Sequence, residues 1–245
     1  MFRTVLTSLL AVLVLCGSAF AAEKTLIAAA NPTWPPMEFL DENKNIIGYD
    51  RDIIAAIAEE IGMKSEFRNI AWDGIFASLE SGQANVIASC VTITDKRKKA
   101  YVFSDPYYEV HQAVVVAKDS AIKKPEDLKG KKVGVQIGTT AIEALRKMNV
   151  DIDLRTYDEV GLVFEDMRNG RLDVVVCDDP VARYYASRKE GYKDLMKVAF
   201  LTEAPTQRAS VRLCTVFSCA GRVPTVKPIS ASFLPMLRCL IWALS

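Results

Sequence analysis

Short apolar runs alternate with helically spaced apolar positions over residues 25–200, and that alternation sets the expected architecture. Leu26-Ile27-Ala28-Ala29-Ala30 has no polar interruption, the pattern of a strand covered on both faces. Ile53, Ile54, Ile57, Ala58 and Ile61 then recur at helical spacing, and Gly62 ends that helix. Ile75, Phe76 and Leu79 predict a second helix stopped at Gly82, and Val86-Ile87-Ala88 a second buried strand. An extended segment over 110–117 follows, and then the unit restarts. A strand is expected over 132–135, a helix face at Ala141, Ile142, Leu145 and Met148, a strand over 174–176, and a helix carrying Val181, Tyr184 and Tyr185. Strands alternating with helices give an α/β fold. Two such sets joined by one extended strand predict two lobes, each a mainly parallel sheet flanked by helices, with a hinge near 111–116.

Both ends of the chain depart from this pattern. Arg3, an apolar run over 9–15 and the small-x-small Ala19-Phe20-Ala21 read as a cleaved export signal over 1–21. The run is shorter than the ~20 residues a membrane span needs. Cys16 as a lipid anchor is the alternative, and Leu15 stands where a small residue is expected before such a cysteine. The first lobe is then expected over 22–112, the second over 113–198, and a return segment towards the first lobe over 199–245. From about Ala204 the period is lost: Pro205, Pro224, Pro228 and Pro235 fall there, and Ser, Arg and Cys are over-used. The segment is not expected to supply closing elements for the first lobe. Its abrupt onset reads as translation in a shifted frame, with a lineage-specific ending as the alternative.

The net charge of +1 gives no basic surface for nucleic acid, although it conceals an asymmetry. No Asp or Glu follows Glu203, while Arg208, Arg212, Arg222, Lys227 and Arg238 do. Cys90 and Cys177 lie in the body and Cys214, Cys219 and Cys239 in the tail, with no zinc-site spacing and no disulfide framework. His111 is the single histidine and has no second ligand or base beside it in sequence. No metal or cofactor is expected.

The candidate chemistry lies in loops after predicted strands: Asn31 with Trp34, 89–94, 136–140, and Asp178 with Asp179. In open α/β sheets a ligand sits outside the carboxyl ends of the strands, so these loops converge from both halves. Their contents suit an amino-acid zwitterion. Arg97 can grip a carboxylate with two parallel hydrogen bonds. Gly138-Thr139-Thr140 opens a helix whose N–H groups favour an anion. Asp178 opposes an ammonium, and Trp34 and Trp72 offer flat walls. Each also has a plainer reading. Arg97 belongs to the solvated run Lys96-Arg97-Lys98-Lys99; Thr139 and Asp178 cap helices; the tryptophans are core; Cys90 and Cys177 are small buried hydrophobes.

Asn31-Pro-Thr-Trp-Pro-Pro-Met-Glu-Phe, Gly48-Tyr49-Asp50, Trp72-Asp73-Gly74, Thr92-Ile93-Thr94-Asp95-Lys96-Arg97 and Phe103-Ser104-Asp105-Pro106-Tyr107 follow one another in order. Lys131-Lys-Val-Gly-Val-Gln-Ile-Gly-Thr-Thr140 and Leu172-Asp-Val-Val-Val-Cys-Asp178 complete the series. Over roughly 24–203 the chain resembles the family-3 extracellular solute-binding proteins, the polar amino-acid-binding components of bacterial ABC uptake systems. The resemblance implies a two-lobed periplasmic binding protein, monomeric, that presents a captured amino acid to membrane permease subunits. It implies that Arg97, Thr92 and the Thr139–Thr140 region hold the carboxylate, that Asp178 and the Ser89 loop hold the ammonium, and that Asn31, Trp34 and Trp72 line the side-chain pocket. Cys90 falls where many relatives carry Gly or Ser and is expected to present backbone atoms. Asn31 falls where many carry Asp, which speaks against a basic ligand. The rival reading is a periplasmic cyclohexadienyl or arogenate dehydratase-like enzyme on the same fold, with His111 and Glu109 as its candidate acid and base.

Overall fold

The computed structural model of the protein describes residues 24–202 and 207–213. The expected export signal, Cys16, and the Cys214, Cys219 and Cys239 of the basic tail lie outside the described residues.

The first lobe holds strands β1 (Thr25–Ala30), β2 (Thr33–Trp34), β3 (Glu38–Leu40), β4 (Ile46–Ile47), β5 (Lys64–Asn69), β6 (Val86–Thr92), β7 (Val102–Phe103) and β8 (Tyr108–Val110). Helices Tyr49–Glu60, Ile75–Glu80 and Asp95–Lys98 lie among them. The second lobe holds β9 (Gln112–Ala117), β10 (Lys132–Gln136), β11 (Asp153–Tyr157), β12 (Val174–Asp178) and β13 (Met196–Leu201), with helices Thr140–Met148, Val160–Arg168 and Asp179–Ser187. A last strand, β14 (Gln207–Leu213), returns to the first lobe.

The main sheet of the first lobe runs β5-β1-β6-β14-β7, with β8 also on β14, and its β5-β1-β6 core is parallel. The sheet of the second lobe runs β11-β10-β12-β9-β13, again with a parallel core of β11-β10-β12. The two cores have the same make-up. In each, the residue before the third strand reaches back to the start of the first. Asn85 Oδ1 accepts from the Ile27 N–H at 2.9 Å, and Asp173 Oδ2 from the Lys132 N–H at 2.8 Å. Either side chain supplies an acceptor for a donor at the end of a strand, which explains why Asn serves in one lobe and Asp in the other.

Period-two alternation sorts the core onto two faces. Leu26 and Ala28 of β1 pack with Ile54, Ile57 and Val86 on one face, and Ala29 packs with Ile75, Leu79 and Ile87 on the other. In the second lobe Val133, Val135, Val174 and Val175 pack with Val163, Phe164 and Val181. The entry to helix Tyr49–Glu60 depends on Gly48. Its φ is 124°, and a Cβ there would stand 2.4 Å from the Met37 carbonyl oxygen, so no other residue fits.

Several elements differ from the expectation. β5, β11 and helix Val160–Arg168 are additional, and β2–β4 form a small antiparallel sheet. The extended segment over 110–117 breaks at His111, with β8 in one sheet and β9 in the other. The lobe boundary expected after residue 112 therefore falls one residue inside β9. The loss of strand period from about 204 is also corrected in part. β14 pairs antiparallel with β6, Ala209 opposite Thr92, and supplies an element of the first lobe. Ala209-Ser210-Val211-Arg212-Leu213 alternates apolar and polar residues, a short strand period within the segment, and β6, β7 and β8 pair with it.

Candidate ligand-binding cleft

A small cavity lies between the lobes. The first lobe lines it with Trp34, Trp72, Ser89, Cys90, Thr92 and Arg97, and the second with Thr139, Thr140 and Asp178. The structure thus brings together every residue selected from the sequence except Asn31.

Arg97 sits on the short helix Asp95–Lys98, where Thr94 Oγ1 accepts its backbone N–H at 3.2 Å. Lys96, Lys98 and Lys99 are exposed, and Arg97 alone of that run is half-buried. Its Nη1 donates to the Thr92 carbonyl at 3.0 Å, and its Nη2 crosses the cleft to the Gly138 carbonyl at 3.3 Å. The guanidinium lies 5.5 Å from the centre of the Trp72 ring and 5.4 Å from that of Phe76. Burial lowers its pKa, yet a guanidinium stays charged. With five N–H groups, the side chain keeps capacity for a carboxylate beyond these two bonds.

Across the cleft, Gly138 has φ 72°, and a Cβ there would meet Trp72 Nε1 at 3.3 Å, so a side chain would wedge the lobes apart. Thr139 is the N-cap of helix Thr140–Met148, but its side chain makes no capping bond; its Oγ1 donates to the Gln136 carbonyl at 2.8 Å. The first N–H groups of that helix have no side-chain acceptor from the cap residue, the arrangement of an anion site.

Asp178 ends β12 and precedes helix Asp179–Ser187, again without a side-chain capping bond. The plainer helix-cap reading therefore has no bond to support it. Asp178 Oδ1 instead accepts from Gln112 Nε2, which also donates to Thr140 Oγ1 at 3.2 Å. Gln112 was not among the residues selected from the sequence, where a glutamine opening an apolar strand gives no signal of what its side chain will reach. Burial pushes the Asp178 carboxyl up to about 7; the Gln112 bond opposes this, Asp179 adds to it, and Arg97 opposes it.

Asn31 is buried behind the lining. Its Oδ1 accepts from Thr33 Oγ1 at 2.9 Å and from Gln136 Nε2 at 3.3 Å, and Gln136 Oε1 accepts from Trp34 Nε1 at 2.7 Å. Asn31 is not among the residues that line the cavity, and its amide oxygen is held by Thr33 and Gln136. Cys90 and Cys177 are buried, and burial pushes both thiols up, as for small buried hydrophobes. His111 donates its backbone N–H to Asp179 Oδ1 at 3.1 Å, Glu109 is exposed, and neither lines the cavity.

The raised carboxyls have a consequence for stability. Burial also lifts Asp50 to about 6. A carboxyl that holds its proton more tightly when folded contributes stability that is fully present below its unfolded value near 4. That contribution is lost as pH rises through about 6 for Asp50 and about 7 for Asp178. The melting temperature of the empty protein is therefore expected to rise as pH falls from 8 to 5. Scanning calorimetry across that range checks it; a flat or falling trend would count against the burial of these groups.

The model of the bacterial extracellular solute-binding proteins, family 3, matches residues 26–133, and a model described as NMT1/THI5 like matches residues 102–179. The chain is 36% identical over 156 residues to the L-cystine-binding protein TcyJ of Escherichia coli K12, covering 63% of this chain and 59% of that one. It is 35% identical over 181 residues to the ABC transporter arginine-binding protein 1 of the same organism, covering 74% of this chain and 73% of the relative. The chain belongs to the family-3 solute-binding proteins. An ancestral arginine-binding protein bound to arginine has the same two-lobed fold, at TM-score 0.74, 34% identity and 91% coverage of each chain. In this chain, the Trp34–Gln136, Asn31–Gln136 and Arg97–Gly138 bonds all join one lobe to the other, so the lobes are drawn together over the cavity.

Proposed function

We propose that this protein captures a free amino acid as a zwitterion between its lobes and presents it to the membrane permease of an ABC uptake system. The observation that carries the reading is the placement of opposite charges on one small cavity. Arg97 and the opening of helix Thr140–Met148 offer donors for a carboxylate, and Asp178 offers an acceptor for an ammonium. Trp34 and Trp72 supply apolar walls for the remainder of the ligand. In this reading the protein is exported through a cleaved leader and works in the periplasm as a monomer. Closure is a hinge motion at the crossover through His111, with the bonds to Gln136 and Gly138 completing it.

Binding without catalysis fits better than the dehydratase alternative. A catalytic acid or base must come within hydrogen-bond reach of the reacting atoms, and neither His111 nor Glu109 lines the cavity. Incubation with prephenate or arogenate, followed by assay for phenylpyruvate or phenylalanine, should give no product. Under the same conditions at least one amino acid should raise the melting temperature. Product formation without amino-acid binding would reverse the reading.

A further inference from the structure

Two carboxyls behind the ammonium side of the cavity have no part in the binding scheme above. Glu38 and Asp50 are both fully buried. Ser89 Oγ, on the cavity wall, donates to Glu38 Oε1 at 2.8 Å and accepts the Asn31 backbone N–H at 3.0 Å. Cys90, the next wall residue, turns its backbone N–H onto Asp50 Oδ2, and Tyr107 Oη donates to Asp50 Oδ1 at 2.7 Å. Cys90 makes that bond from φ 45°, a conformation costly for a residue with a side chain. Burying two acids and straining the backbone beside a cleft is hard to explain by packing alone, because apolar side chains would fill the same space without the desolvation cost.

The consequence for the cavity is one of hydrogen-bond polarity. A hydroxyl has one proton and two lone pairs. The Ser89 proton goes to Glu38 and one lone pair to Asn31, which leaves a lone pair for a ligand. The Cys90 N–H is taken by Asp50. The Asn31 N–H is taken by Ser89. We propose that Glu38 and Asp50 are positioning residues that fix which way round an amino acid lies, by withdrawing the strong donors of the 89–90 wall so that it faces an ammonium and not a carboxylate. Ser89 then joins Asp178 as an acceptor for the ammonium, while the donors remain around Arg97 and residues 139–140.

The pair is consistent as a carboxylic acid beside a carboxylate. Glu38 Oε2 is buried with no donor aimed at it, and Asp50 is within hydrogen-bonding reach. A proton on Glu38 satisfies both. Burial first, and then the Asp50 charge, holds Glu38 well above the usual carboxylate range.

This inference rests on the amino-acid reading of the cleft, and its test separates the two. Wild type, Glu38→Gln, Glu38→Leu and Glu38→Met are titrated with the twenty standard amino acids and L-cystine, and then with the des-amino acid of the tightest binder. A Gln offers Ser89 an acceptor and Asp50 a donor, as the protonated acid does, so Glu38→Gln should stay within ~3-fold of wild type. Leu and Met free the Ser89 hydroxyl to turn its proton towards the ligand. The amino acid should then lose ~10- to 100-fold, the worth of a hydrogen bond to a charged group, and the des-amino acid should lose nothing. Met is an unbranched gap-filler and carries the same comparison should the Leu variant not fold. Equal losses for both ligands, or a Gln variant as weak as the Leu and Met variants, would overturn the proposal while leaving the binding function standing. A wild type that binds none of the amino acids would remove both.

Discussion

Arg97→Ala is expected to abolish useful amino-acid binding while the fold survives. Breaking a desolvated charge pair costs ~2–5 kcal/mol, roughly 30-fold to several thousand-fold in affinity, much of it the cost of leaving the other charge buried alone. Two further losses push the effect towards the upper end. The guanidinium also holds the Gly138 carbonyl of the other lobe, and it packs over Trp72 and Phe76. Arg97→Lys should recover only part, because an ammonium cannot reproduce the planar two-bond grip. The helix that carries Arg97 is capped by Thr94, and its residues other than Arg97 are exposed, so the melting temperature should change little. Isothermal titration of the variant decides the matter, and unchanged affinity would remove the carboxylate site.

The next largest effect is expected from Asp178→Asn, and it should be selective. The ammonium loses its charged partner, while Arg97 and the start of helix Thr140–Met148 still hold the carboxylate. Affinity for the amino acid should fall at least tenfold, and affinity for its des-amino analogue should hold or improve. The improvement has a physical source: burial holds the carboxyl near neutrality with a value of about 7, so an uncharged amide is cheaper to enclose. Removing that raised carboxyl should also weaken the rise in melting temperature between pH 8 and 5. Losses of equal size for both ligands would return Asp178 to the role of a helix end.

The sequence was most legible where one physical demand acted alone. Apolar runs such as Ala28-Ala29-Ala30 and Val174-Val175-Val176 became strands because both of their faces are covered. β5 and β11 escaped notice because they stand at the sheet edges, partly exposed, and Lys64-Ser-Glu-Phe-Arg-Asn69 reads as polar loop. Helix Val160–Arg168 is a different case. Val160, Val163, Phe164 and Met167 carry a full helical period and are all buried, so its signal was present and not taken up. At the cleft, the loops after strands converge on the cavity, as the carboxyl ends of strands do in open α/β sheets. Arg97 was distinguishable from its lysine neighbours only through the motif around it, since exposure is a property of the folded lobe. The hydrogen-bond partners of Asn31, Gln112, Glu38 and Asp50 were beyond a sequence reading. Their roles depend on which partner each meets, and Gln136 is more than a hundred residues from Asn31 in the chain.

The central claim is that one small cavity reads both charged ends of a free amino acid. Titration calorimetry of the wild-type chain against an amino acid, its des-amino analogue and its carboxamide tests that claim directly. The account predicts saturable one-to-one binding of at least one amino acid, and loss of at least tenfold when either charged group is removed. Binding that ignores the removal of one end, or no binding of any amino acid, would contradict it.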